Sequence, residues 1–161
     1  MGIFTMLSAV SSAGQSRKDH ESRAHHNMES TKHRPVIAIV DDDASICRAM
    51  KRLMWSRGIA AYTFASGLEF LDLLRAWPSI SWDCVVLDVH MPGLDGLQVQ
   101  EYLRCKRPDI PVIFVTATHD ARIREQALAA GALAFFEKPL NDDLLINTLQ
   151  LVLQIDAAGE S

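Results

Sequence analysis

The chain of 161 residues has room for one folded domain with a sizeable core and some spare length, but not for a second domain. Residues 1–34 hold five Lys or Arg (17, 18, 23, 32, 34) against three acids (19, 21, 29), so the remainder carries 11 of the 16 bases and 17 of the 20 acids. A folded part of that sign argues against direct binding to a nucleic-acid backbone, and no apolar run approaches the roughly 20 residues of a membrane helix.

Residues 1–34 are rich in Ser, His, Lys, Arg and Glu and show no hydrophobic period after Val10, which predicts a flexible, disordered arm. Ile3 to Val10 is weakly apolar but lacks a basic region before it, so no signal peptide is expected and the chain reads as cytoplasmic. Four of the six histidines (20, 25, 26, 33) lie in this arm, at spacings that fit no metal-ligand pattern, and Met28 is a candidate true start. Cys47, Cys84 and Cys105 are an odd set inside apolar patterns and read as buried, reduced thiols.

From Pro35 onward, apolar strands alternate with amphipathic segments. Val36 to Val40 is a strand that runs into Asp41-Asp42-Asp43, and Asp43 can cap a helix whose apolar face is Ile46, Ala49, Met50, Leu53 and Met54, ending at Gly58. Ala60 to Phe64 is a second strand, and Ser66-Gly67-Leu68-Glu69 has the spacing of a capping box that opens a helix to about Ala76, before Pro78. The third strand, through Cys84-Val85-Val86-Leu87, has no polar alternation, which suits a central parallel strand covered on both faces. It delivers Asp88 to its carboxyl end and is followed by Met91-Pro92-Gly93.

Asp95 can cap the next helix, with Leu97, Tyr102 and Leu103 as core contacts. Val112 to Val115 is the fourth strand and runs into Thr116; Asp120 can cap a helix to Gly131. Leu133 to Glu137 is the fifth strand and runs into Lys138-Pro139. Asn141 or Asp142 can cap a last helix with Leu144, Leu145, Thr148, Leu149 and Val152 along one side. These units predict an α/β fold, a doubly wound five-stranded parallel sheet with helices on both faces, over residues 35–155, with a short tail at 156–161.

The carboxyl ends of parallel strands share one edge, so Asp41, Asp42, Asp88, Thr116 and Lys138 should converge there. In this order and spacing the residues resemble the receiver domain of two-component response regulators, over Pro35 to about Ile155. The resemblance implies the flavodoxin-like strand order 2-1-3-4-5. It makes Asp88 the acceptor of a phosphoryl group from a sensor histidine kinase or phosphotransfer protein, and a downstream protein target the recipient of the signal. It further implies Mg2+ held by Asp42 directly, by Asp41 through water, by Asp88 and by the backbone carbonyl of His90. Thr116 would bond a phosphoryl oxygen and Lys138, before a cis Pro139, would face Asp88. Thr116 and Phe135 would form the switch, the ring turning inward as the threonine moves toward the phosphate.

The chemistry suits these residue types: a carboxylate accepts a phosphoryl group only when a metal ion and a cation neutralise the charge on the transferred oxygens, and Mg2+ prefers oxygen ligands and keeps several waters. Such a chain would be a signalling protein that catalyses only its own phosphorylation and dephosphorylation. Two alternatives compete. A Mg2+-dependent aspartyl-phosphate phosphatase of the haloacid dehalogenase type would carry a second aspartate two residues past the nucleophile, where this chain has His90. A fragment of a two-domain transcription regulator would share every feature above.

Overall fold

The computed structural model describes residues 33–158, and side chains as far as Gln154. The expected arm, save His33 and Arg34, and the apolar stretch Ile3 to Val10 lie outside the described residues. Five strands, β1 (Val36–Val40), β2 (Ala60–Phe64), β3 (Cys84–Leu87), β4 (Val112–Thr116) and β5 (Ala134–Glu137), alternate with five helices. The helices are α1 (Ala44–Ser56), α2 (Gly67–Ala76), α3 (Gly96–Lys106), α4 (Ala121–Ala129) and α5 (Asp142–Ala158). All strand pairs are parallel and the order is β2-β1-β3-β4-β5, as the resemblance implied.

The two-residue period of the strands sorts the core onto two faces. Ala38, Val40, Val85, Leu87, Phe114 and Phe135 pack with Phe70, Leu74, Val99, Leu103 and Ala127, which places α2, α3 and α4 on one side. Ile37, Ile39, Val86, Ile113 and Val115 pack with Cys47, Met50, Met54, Leu145, Ile146 and Leu149, which places α1 and α5 on the other. No described helix is long and apolar enough to cross a membrane.

The predicted caps form, with one change of partner. Asp43 accepts from Ser45 and Ile46, Asp120 from Arg122, and Asn141 from the Leu144 N–H at 3.0 Å. Asp95 and Gln98 make a reciprocal capping box on α3. Ser66 accepts from Glu69 as expected, but the Glu69 carboxylate reaches one residue further back, to the Ala65 N–H at 2.9 Å, so the box on α2 is not closed on Ser66 itself.

Several core expectations need correction. Cys105 is exposed on the outer side of α3, whereas Cys47 and Cys84 are buried. On α1 the stripe that meets the sheet is Cys47, Met50 and Met54; Ile46 and Leu53 lie at its margin and Ala49 faces out, because the helix is rolled by one position from the phase assumed. The same roll on α5 buries Ile146 with Leu145, Leu149 and Val152 and leaves Leu144 half exposed to solvent. On α3, Val99 and Leu103 are buried, while Leu97 and Tyr102 pack only at the edge of the core.

Candidate functional site

Parallel pairing fixes where each strand stops, and therefore where each polar residue lands. Val40 pairs with Leu87 and Thr116 with Glu137, so Asp41, Asp88, Thr116 and Lys138 come out on one edge of the sheet. The backbone reinforces this alignment: the Asp88 N–H donates to the Val40 carbonyl at 2.9 Å, the Asp41 N–H to Phe64 at 3.1 Å and the Lys138 N–H to Thr116 at 2.8 Å. The Lys138-Pro139 peptide is cis, as the resemblance implied.

The carboxylates form one cluster. One oxygen from each of Asp41, Asp42 and Asp88 lies within 4.8 Å of the others. Asp41 and Asp88 are buried and Asp42 is exposed. The Lys138 amine sits 2.7 Å from Asp41 Oδ2 and 3.8 Å from Asp88 Oδ2, so its hydrogen bond goes to Asp41 and its charge serves both. Asp41 Oδ1 in turn accepts the Asp43 N–H at 2.9 Å. Both oxygens of Asp41 are thus engaged by protein donors, whereas Asp42 projects into solvent beside the pocket. That division suits Asp42 as a direct metal ligand and Asp41 as one acting through water. The set consists entirely of hard oxygen donors, which fits Mg2+ better than a softer transition metal.

Burial pushes the Asp88 carboxyl above its ordinary range, and the Asp41 charge raises it further, with a smaller contribution from Asp42. Lys138 and the Thr116 hydroxyl oppose that shift. Ionised Asp88 is therefore held at an energetic cost that an added cation relieves.

Past Asp88 the chain turns through Val89, His90 and Met91, and Gly96 presses against this turn. A Cβ on Gly96 would lie 2.2 Å from the Asp88 carbonyl oxygen and 2.9 Å from Val89 Cα, so only glycine fits there. The Gly96 N–H donates to the Val89 carbonyl at 2.8 Å, and the His90 carbonyl is the next along the turn. The His90 side chain is exposed.

The expected switch residues are both present in the interior: Thr116 is fully buried and accepts from the Thr118 N–H at 3.4 Å, and Phe135 is buried with its ring centroid 5.9 Å from that of Phe114.

The sequence model of the response regulator receiver domain matches residues 37–150, most of the described fold. The chain belongs to the response regulator receiver family.

Among curated relatives, the receiver is 40% identical over 114 residues to a C4-dicarboxylate transport transcriptional regulatory protein, DctR, of Rhodobacter capsulatus, covering 70% of this chain and 56% of that one. It is 33% identical over 126 residues to the transcriptional regulatory protein FixJ of Bradyrhizobium diazoefficiens, covering 78% and 60%. The chain thus spans little more than half the length of these relatives. Among solved structures, a response regulator receiver protein from Burkholderia phymatum is 55% identical with a TM-score of 0.67, over 74% of this chain and 95% of that one. The response regulator StyR is 34% identical with a TM-score of 0.69, over 79% and 63%.

Four contacts around the receiver's site have no counterpart in the sequence reading. His119 Nδ1 lies 2.6 Å from Glu137 Oε2, joining the segment after Thr116 to the end of β5. The Arg124 guanidinium donates to the Phe135 carbonyl at 3.1 Å. The Cys47 thiol donates to the Asp41 carbonyl at 3.2 Å, and the first partner of Lys138 is Asp41. The acidic triplet and Lys-Pro were visible signals; for His119, Arg124 and Cys47 no local pattern marks the partner, which is brought in by the fold.

Proposed function

We propose that this receiver takes a phosphoryl group onto Asp88 from the phosphohistidine of a partner kinase or phosphotransfer protein, and passes the signal to a downstream protein. The supporting observation is a buried Asp88 with two further carboxylates inside 4.8 Å and the Lys138 amine 3.8 Å away. Asp41, Asp42, Asp88 and the His90 carbonyl would hold Mg2+, which when bound supplies positive charge opposite the transferred oxygens.

The residues divide the remaining work. An Asp88 carboxylate oxygen forms the new bond to phosphorus as the donor's phosphorus–nitrogen bond breaks, and the leaving imidazole keeps the electron pair and takes up a proton. Lys138 places a cation beside the incoming oxygens and is held there by Asp41. Thr116, at the end of β4, donates its hydroxyl to a phosphoryl oxygen, and Phe135 follows that movement. Thr116 and Phe135 are thereby the bistable element. The chain performs no chemistry on another molecule beyond taking and losing its own phosphoryl group. It works in the cytoplasm without direct nucleic-acid contact, the acidic balance of residues 35–161 supporting that reading.

Incubation with Mg2+ and a small acyl phosphate, followed by intact-mass measurement, tests the reading. The expected result is one phosphoryl group on the wild type, none on Asp88→Asn and none after chelation. Undiminished labelling of Asp88→Asn removes Asp88 as the acceptor.

A further inference from the structure

Arg124, on the exposed side of α4, directs its contacts to one residue on the neighbouring strand. Its Nη1 donates to the backbone carbonyl of Phe135 at 3.1 Å, and the guanidinium carbon lies 5.7 Å from the centroid of the Phe135 ring. Among the described residues no carboxylate is within ion-pair distance of it; Glu137, the acid nearest in sequence to Phe135, is taken by His119 at 2.6 Å. A guanidinium in this position is attracted to the face of the ring and fixes the strand beneath it, a combination open to the planar fork of arginine and poorly reproduced by lysine.

The setting gives the contact a consequence. Phe135 is buried against Phe114 on the inner side of β5. Outside β5 an open cavity of about 400 Å³ is lined by Phe135 and Arg124 together with Phe136, Leu140 and Leu144. The guanidinium and the ring thus both border the space an outward ring would enter. An outward ring would lose the Phe114 contact and the guanidinium face together.

We propose that Arg124 is the positioning residue for the receiver's switch: it holds Phe135 inward and so sets how strongly the domain leans to that arrangement before a phosphoryl group arrives. This rests on the reading that Thr116 and Phe135 form the switch. The hydrogen bond to the Phe135 carbonyl holds the guanidinium in place whichever way the ring points, and the cation–π contact, made only by the inward ring, corresponds to about a threefold bias in the inward-to-outward ratio.

The test replaces Phe135 by 4-trifluoromethylphenylalanine in the full chain and reads its fluorine resonance, whose shift between H2O and D2O reports exposure of the ring. In metal-free protein, Arg124→Ala is expected to move the ratio outward by about threefold, with Arg124→Lys falling between that variant and the wild type. Thermal unfolding of the same proteins separates positioning from simple clamping of α4. A lowered melting temperature with an unchanged fluorine shift, or no change in either, overturns the proposal. The switch reading is tested apart from it by adding Mg2+ and the acyl phosphate to the labelled Arg124→Ala protein, in which the outward ring is more populated and phosphoryl uptake should draw it inward. If mass shows phosphoryl uptake while the resonance stays still, the switch reading fails; the hold of Arg124 on the ring is decided by the metal-free comparison alone.

Discussion

Gly96→Ala is the substitution that separates a clamped acceptor turn from a loosely placed one. The new Cβ would meet the Asp88 carbonyl oxygen at 2.2 Å and Val89 Cα at 2.9 Å, both backbone atoms, so neither obstacle can rotate aside. Relief requires the start of α3 or the turn after Asp88 to retreat by about 1 Å, and overpacking of that kind costs about 1–3 kcal/mol. For a domain of this size that corresponds to a fall in melting temperature of roughly 4–10 °C. The same retreat displaces Asp88 and the His90 carbonyl, and misplacement on that scale slows a positioned reaction by as much as about a hundredfold.

The assay is thermal unfolding by circular dichroism without metal, paired with the rate of phosphoryl uptake from the acyl phosphate under Mg2+. Gly58→Ala is the control. Gly58 has φ of 76° and nothing within 4 Å of an added Cβ, so alanine there carries only the left-handed backbone penalty of about 1–2 kcal/mol, and uptake should be unchanged. A Gly96→Ala protein with the melting temperature and uptake rate of the wild type would refute the clamp.

Three further outcomes follow from the charges. Asp88→Asn should raise the metal-free melting temperature: burial raises the folded-state pKa above its unfolded value, so the charged group weakens the fold above the folded pKa and the weakening vanishes as pH falls below the unfolded one. The gain over wild type, measured by unfolding at several pH values, should accordingly shrink from neutral pH toward pH 4, and a gain that grows on acidification contradicts the sign. Asp42→Asn should raise the metal-free value less, because Asp42 is exposed and is the smallest contributor to the Asp88 shift, yet abolish the increment that Mg2+ gives the wild type, about 2.7 kcal/mol at a hundredfold excess over Kd. If Asp42→Asn keeps the full increment, Asp42 only flanks α1. Lys138→Ala strands buried Asp41 without its 2.7 Å partner and should lower metal-free stability by about 3 kcal/mol in denaturant unfolding, while phosphoryl uptake under Mg2+ falls less than signalling to the partner; full loss of uptake would show that the lysine, more than the metal, carries the charge stabilisation of transfer.

The sheet was legible because four of its five strands are short apolar runs closed by a residue that apolar surroundings would not tolerate, Asp41, Asp88, Thr116 or Lys138, while β2 was marked by its place between Gly58 and the Ser66 cap. Period and punctuation located every element, and helix-capping residues marked the starts. The roll of each helix was less legible. Cys47 and Ala49 on α1, and Ile146 and Leu144 on α5, flank the apolar stripe two residues and about 160° apart around the helix, and which is buried depends on how the helix crosses the sheet. Cys105 is a different case: it lies between Arg104 and Lys106, charged neighbours that already marked the outer face of α3. The long side chains were illegible for another reason. Arg124 and His119 reach partners 11 and 18 residues away, and Lys138 reaches 97 residues back to Asp41. Only the folded sheet defines those distances.

Asp88 as the acceptor is tested most directly by locating the acyl phosphate. After exposure to the acyl phosphate and Mg2+, borohydride reduction converts an aspartyl phosphate to homoserine, and peptide sequencing by mass spectrometry finds the position. The expected result is homoserine at position 88 in the wild type, absent when Mg2+ is chelated and absent from positions 41 and 42. Homoserine at Asp41 or Asp42, or a phosphoryl group retained on a histidine with position 88 unreduced, would contradict it.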